Sequence, residues 1–130
     1  MHKPVPRVFV VDPELLIAST WSEILRKNGF SATYFTDSQE ALAAARQEPP
    51  DLLLSELSLS GLSGIDLAIA IRQSCPQCKV MLFASCSEAM ILLSKARDQG
   101  HDFPVITKPI HPTELLHRIH QQNPAWAIEH

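Results

Sequence analysis

No apolar run in the chain approaches the roughly 18 residues that a membrane-spanning helix needs. Nor does a long apolar stretch follow the basic residues of segment 1–7, so no signal peptide is expected and a cytoplasmic protein is. Cysteine is scarce. Cys75, Cys78 and Cys86 make an odd, small count, which without an export signal points to reduced thiols. Excess positive charge is missing too: 11 Lys and Arg face 14 Asp and Glu, for a net charge of -3. A nucleic-acid surface usually carries a basic patch, so no nucleic-acid partner is expected. Glycine numbers only four. Neither a Gly-rich phosphate-cradling loop nor a nucleophile elbow occurs, which removes the commonest nucleotide-binding and hydrolase patterns. There is no internal repeat, no low-complexity segment and no sign of a second domain.

What is present suits one globular domain. The 130 residues are 45% hydrophobic and 19% charged, enough for a single real core. Val8-Phe9-Val10-Val11 is a continuous apolar run that reads as a strand buried on both faces and ends at Asp12-Pro13. Segment 15–27 then has apolar residues at 17, 21, 24 and 25, a helical spacing, and Asn28-Gly29 stops it. A second strand spans 31–35. Asp37 caps the next helix with Glu40 three residues on, Ala41, Leu42 and Ala45 form its inner stripe, and Pro49-Pro50 closes it. Leu52-Leu53-Leu54 is a third strand ending at Glu56, followed by a loop marked by Gly61 and Gly64. A helix over 65–73, a strand over 80–84, a helix over 88–98 stopped by Gly100, and a strand over 103–107 come next. Pro104 has no backbone donor, which sends the fifth strand to a sheet edge. Pro112 opens a last helix over 113–120, with apolar residues at 115, 116 and 119. A tail from Gln121 onward is expected to fray, with Trp126 free to dock.

Five strands alternating with five helices imply an α/β fold, a parallel sheet covered on both faces by right-handed crossovers. In such sheets chemistry collects outside the carboxyl ends of the strands. Asp12, Glu56, Ala84 with Ser85, and Lys108 all fall there, bringing two carboxylates, a hydroxyl and an ammonium group to one rim.

These residues carry a resemblance to the response-regulator receiver domains of two-component signalling. The motifs are Val10-Val11-Asp12-Pro13-Glu14, Asp51-Leu52-Leu53-Leu54-Ser55-Glu56 with Gly61 and Gly64 behind it, and Thr107-Lys108-Pro109, over roughly residues 7–121. Segment 1–6 is then an N-terminal extension and 122–130 a C-terminal tail. The resemblance implies a single-domain, flavodoxin-like sheet of order 2-1-3-4-5. It also implies phosphoryl transfer to an aspartate at the end of strand three. Two acidic residues after strand one would help hold Mg²⁺, and a Ser or Thr after strand four and a Lys after strand five would contact the phosphoryl group.

The sequence departs from that pattern around a retained Asp12 and Lys108. Glu56 stands at the phosphoacceptor position and carries its carboxylate one methylene further, about 1.5 Å on usual bond lengths. A misplacement near 1 Å can cost on the order of a hundredfold in rate. Pro13 replaces the second acidic residue, and Ala84 falls where the hydroxyl belongs. Ser85 is adjacent, but it can serve only if the strand has already ended, because successive strand side chains face opposite ways. Val105 occupies the place of the switch aromatic, with Phe103 two residues earlier. No cofactor is expected, and a Mg²⁺ ion, with Asp12 as its main protein anchor, would bind weakly.

The expected function is therefore a non-enzymatic, pseudo-receiver module of a phosphorelay that works through protein contacts. Its partners, by resemblance, are a histidine kinase or a downstream effector. The outer face of helix four, strand five and helix five would serve partners or a homodimer, together with the rim around Glu56. A weakly active receiver phosphorylated on Glu56, with Asp12 and a backbone carbonyl near Ser58 holding Mg²⁺, is the alternative. A flavodoxin-type cofactor protein is a third reading, opposed by the acidic Asp12-Pro13-Glu14 loop. At Glu56, imitation of a phosphorylated state competes with simple loss of the chemistry. The second is preferred, with Glu56 and Lys108 forming a partly exposed rim pair contributing about 0–1 kcal/mol. Cys75 and Cys78 have redox or zinc half-site spacing, but they follow a helix and precede a strand. Cys86 lies across the full strand from Cys78, a strand that alone spans roughly 20 Å at about 3.3 Å per residue. A disulfide between Cys75 and Cys78 under oxidation is expected in place of a metal site. His117 and His120 are three apart on the last helix and could share a face, but no third ligand is evident beyond an outside chance of His111, so they read as surface residues.

Overall fold

The computed structural model describes residues 5–84 and 87–126. The elements run in the order β1 (Arg7–Val11), α1 (Leu15–Lys27), β2 (Ser31–Phe35), α2 (Ser38–Gln47), β3 (Leu52–Glu56), α3 (Gly64–Ser74), β4 (Lys79–Ala84), α4 (Ser87–Asp98), β5 (Val105–Thr107) and α5 (Pro112–Gln122). All strand pairs are parallel, in the order β2-β1-β3-β4-β5. The three central strands carry the continuous apolar runs, because each of their faces meets a helical layer. One core cluster joins Phe9, Val11, Leu53, Val80 and Leu82 to α2, α3 and α4. The other joins Val8, Val10, Leu52, Leu54, Met81 and Phe83 to α1 and α5.

Three expectations from the sequence need adjustment. The strand expected over 103–107 begins at Val105. Pro104 lies just outside it and supplies only its carbonyl, which accepts from the Leu82 amide at 2.9 Å. Helix α1 buries Ala18, Ser22 and Leu25, while Ile17, Trp21 and Ile24 are only half-buried. The small side chains let α1 lie close to the sheet, and Ser22 Oγ satisfies itself on the Ser19 carbonyl at 2.9 Å. That rotation leaves Leu15 and Leu16 61% and 78% exposed. Finally, α5 runs on to Gln122, and a 3₁₀ turn over Pro124–Trp126 comes after it, in place of fraying from Gln121. Trp126 packs against the second cluster.

The helix starts reflect local chemistry. Asp37 accepts from the Glu40 amide at 3.2 Å and Ser63 from the Asp66 amide at 3.1 Å. His111 Nδ1 accepts from the Thr113 amide at 3.2 Å, just ahead of Pro112. Gly64 sets the approach of α3 to the end of β3. Its amide donates to the Leu57 carbonyl at 2.9 Å. A Cβ there would collide with the Glu56 carbonyl oxygen and come within 3.0 Å of Leu57 Cα, all backbone that cannot swing aside. Gly64→Ala is expected to destabilise the domain by about 1–3 kcal/mol, as overpacking does. Urea unfolding measures this, and an unchanged midpoint would refute it.

Candidate functional site

Parallel pairing brings the C-terminal ends of β1, β3 and β4 level, and Asp12, Glu56 and Ala84 sit there, with Lys108 just past β5. The Lys108 amide donates to the Ala84 carbonyl at 3.1 Å, which fixes the origin of its side chain. The Lys108–Pro109 peptide is cis. From there Lys108 Nζ reaches Asp12 Oδ2 at 3.0 Å and Glu56 Oε2 at 2.7 Å. Asp12 and Glu56 are only 4% and 5% exposed. The rim pair expected from the sequence is thus a largely buried cluster of three charges. Both carboxylates share one ammonium group, so removing one partner costs more than breaking an exposed pair, because it leaves buried charge uncompensated. Burial pulls the Lys108 ammonium downward, but hydrogen bonds to Glu56 and Asp12, and their charges, hold its pKa above the usual lysine value. Lys108 Nζ also lies 5.3 Å from the centroid of Phe83, whose ring stacks on Trp21 at 6.0 Å.

The other Asp12 oxygen is engaged as well. Oδ1 accepts from the Glu14 amide at 2.9 Å. Pro13 is exposed and brings no ligand to the pocket. Ala84 turns a methyl into the first core cluster. Ser85, the neighbouring hydroxyl, lies outside the described residues, as does Cys86. Among the described residues no group of three or more His, Cys, Asp or Glu could hold a metal ion. Octahedral Mg²⁺ therefore finds a poor fit: one carboxylate with both oxygens engaged, and a second bound to an internal cation. The loop after β1 offers no hydroxyl cradle for a flavin phosphate either.

The remaining candidates disperse. Val105 is half-buried and pairs with Leu82. Phe103 is fully in the first core cluster, with Arg72 5.2 Å over its ring and His101 stacked on it at 6.3 Å. His117 meets Gln121 at 3.3 Å, whereas His120 stacks on Phe30 at 6.3 Å. Burial, and then the charge of His117, lower the His120 pKa. Cys75 and Cys78 are free thiols. Cys78 is buried, with Sγ 3.3 Å from the Lys79 carbonyl. Burial first, then Cys75 and Asp51, push its pKa up to about 12. A thiol held neutral is a poor nucleophile. Alkylation of the folded protein followed by peptide mass mapping is expected to label half-buried Cys75 and spare Cys78 until denaturant is added. Equal labelling of the two would contradict this.

Sequence spacing missed one feature beside the site. Ile17, Trp21, Lys108, Pro109 and Ile110 line an open groove of about 410 Å³. Leu16, Thr20, Ile24 and Pro112 line a further recess of about 280 Å³ shared with Ile17, Trp21 and Ile110. The signal was available in Leu15 and Leu16, apolar residues lying outside the inward spacing of α1. Met90, Ile91 and Leu92 form a second exposed apolar strip on α4.

Comparison with known proteins agrees with this architecture. Residues 8–120 match the model of the response regulator receiver domain. The DNA-binding response regulator MtrA of Mycobacterium tuberculosis (strain ATCC 25618 / H37Rv) is 34% identical over 113 residues, which cover 87% of this chain and 48% of MtrA. The chain thus spans about half the length of the curated relatives it matches. A CheY-like response regulator receiver domain protein from Methanospirillum hungatei JF-1 superposes with a TM-score of 0.81 at 22% identity, covering 95% of this chain and 97% of that one. Chemotaxis protein CheY4 of Vibrio cholerae gives 0.79 at 20% identity, covering 91% and 98%. No described helix is long and apolar enough to cross a membrane.

Proposed function

The chain belongs to the response regulator receiver domain family, and from that premise we propose that it is a two-component signalling module that works by binding proteins, without ordinary aspartyl phosphorylation. Receiver domains are generally non-enzymatic, take Mg²⁺ at the phosphorylation site, and meet histidine kinases and effectors. The observation that carries the reading is the clamping of Lys108 Nζ between Asp12 and Glu56, at 3.0 and 2.7 Å. The lysine that would neutralise an incoming phosphoryl group is already neutralising two carboxylates. Pro13 takes away a metal anchor and Ala84 a hydroxyl. Phosphoryl transfer depends on positioning and on such charge stabilisation, so losing both leaves little to drive it.

Partner contacts fall to the rim around Glu56, the groove beside it, and the α4 strip with β5 and α5. MtrA is named for DNA binding, and this chain spans about half of it. In the domain itself a net charge of -3 favours protein partners over nucleic acid. Intact mass after incubation with a small phosphodonor and Mg²⁺ tests the reading. An unmodified mass is expected. A phosphorylated species that disappears in Glu56→Gln would sink the proposal.

One observation favours a second reading, slow phosphorylation of Glu56. Its carboxylate ends β3 at the expected place and touches the expected lysine. In that case the phosphorylated species would accumulate slowly and vanish with Glu56→Gln.

A further inference from the structure

Two nearly buried carboxylates that contact the same atom do not stay ionised together without a counter-ion. In this pocket the counter-ion is covalently part of the protein. Lys108 Nζ lies 3.0 Å from Asp12 and 2.7 Å from Glu56, and its side chain is 21% exposed. The backbone holds it in register, through the Lys108 amide on the Ala84 carbonyl. The Glu14 amide holds the other Asp12 oxygen. A divalent ion would have to displace one or both of these donors, and it would then find Pro13 where a further oxygen ligand is needed. Counting formal charge, two carboxylates and one ammonium sum to -1. Adding a divalent ion without expelling Lys108 would leave the buried site at +1.

We propose that Lys108 is the resident cation of this pocket, doing structurally what a bound divalent ion does elsewhere, so that the domain neither needs nor binds Mg²⁺ in its folded state. This deepens the reading of a receiver that has left the phosphorylation chemistry, and it rests on that reading for its functional meaning. It adds a specific claim: the affinity of Asp12 and Glu56 for cations is satisfied internally, and removing the lysine uncovers it.

The test has two arms. In the first, the unaltered protein is titrated with Mg²⁺ and Mn²⁺ to millimolar levels. Melting midpoint and the NMR shift of the Glu14 amide, which reports directly on Asp12, are recorded. Midpoints in chelator and in divalent ion are expected to coincide, and the amide to stay put under Mg²⁺. A saturable rise in midpoint or a saturable Glu14 shift would overturn the inference. In the second arm, Lys108→Met is expected to melt lower in chelator and to recover part of the loss with either ion. Lys108→Met combined with Glu56→Gln is expected to recover none. Equal recovery in both variants, or none in Lys108→Met, would count against the inference. Should Lys108→Met fail to fold, the first arm decides alone. Failure here is separable from failure of the functional reading. Mg²⁺ binding without a phosphorylated mass sinks only this inference, and a phosphorylated mass obtained in chelator sinks only the other.

Discussion

Lys108→Met is expected to cost the domain about 3 kcal/mol, the low end of the range for removing one partner of a buried charge group. The low end applies because a fifth of the lysine side chain meets solvent. For a domain of 130 residues this corresponds to a melting midpoint lower by roughly 10 °C. Methionine keeps most of the apolar stem, so lost packing contributes little and the effect reports the charge. Asp12 and Glu56, 4% and 5% exposed in the parent protein, would lose their shared cation. The direction of the lysine shift sets the pH dependence. Burial lowers the Lys108 pKa, and the hydrogen bonds and charges of Glu56 and Asp12 raise it further than burial lowers it. The folded value thus lies above the unfolded one. The stabilisation is complete below the ordinary lysine value of about 10.4 and disappears as pH climbs through the folded value. The gap between the parent protein and Lys108→Met, measured by urea unfolding, should be constant through neutral pH and close in strong alkali. A gap under about 1 kcal/mol at neutral pH would mean the cluster behaves like an ordinary surface pair.

The largest kinetic effect is expected from restoring the pocket. Glu56→Asp draws the carboxylate back by about 1.5 Å and frees Lys108 from its closest contact. Pro13→Asp adds a second acidic anchor, and Ala84→Thr adds a hydroxyl at the end of β4. The triple variant should be phosphorylated by a small phosphodonor on the order of a thousandfold faster than the parent. That combines roughly a hundredfold for position with tenfold or more for charge stabilisation. Time-resolved intact mass with Mg²⁺ reads the rate. Glu56→Asp alone should recover roughly the hundredfold that comes from position and fall short of the triple variant by about tenfold. If it matched the triple variant, Pro13 and Ala84 would be bystanders. Ala84 is buried in the first core cluster, so threonine there also carries an overpacking cost of about 1–3 kcal/mol, and stability must be followed in parallel.

The alternation of elements was legible because its physics is local. The apolar runs of β1, β3 and β4 belong to strands covered on both faces, and β2 occupies the residues that its pattern marked. Asp37, Gly29 and Pro112 act where their chemistry places them. The misses share a cause. An apolar-spacing rule cannot see that Ala18 and Ser22, one small and one polar, form the inward face of α1. Nor does it distinguish an isolated histidine from His111, whose ring nitrogen caps a helix. At the site, the sequence marked Asp12, Glu56 and Lys108 as neighbours but not as buried ones. Asp12 and Lys108 are 96 positions apart, and how deep they sit depends on side chains contributed by the whole sheet. A strand-end glutamate reads the same in a sequence whether solvent or an ammonium group faces it.

Lys108 belongs to two places at once. Its nitrogen joins the charge cluster, and its stem forms part of the wall of the groove made by Ile17, Trp21, Pro109 and Ile110. A partner segment that seats in that groove and shifts the stem also changes the energy of the two carboxylates. By thermodynamic reciprocity, anything that alters the charge on Asp12 or Glu56 then alters the affinity of the groove by the same factor. Whatever its phosphoryl chemistry, the domain would in that way connect the charge cluster at its strand ends to an apolar recognition surface, with a single side chain as the coupling element.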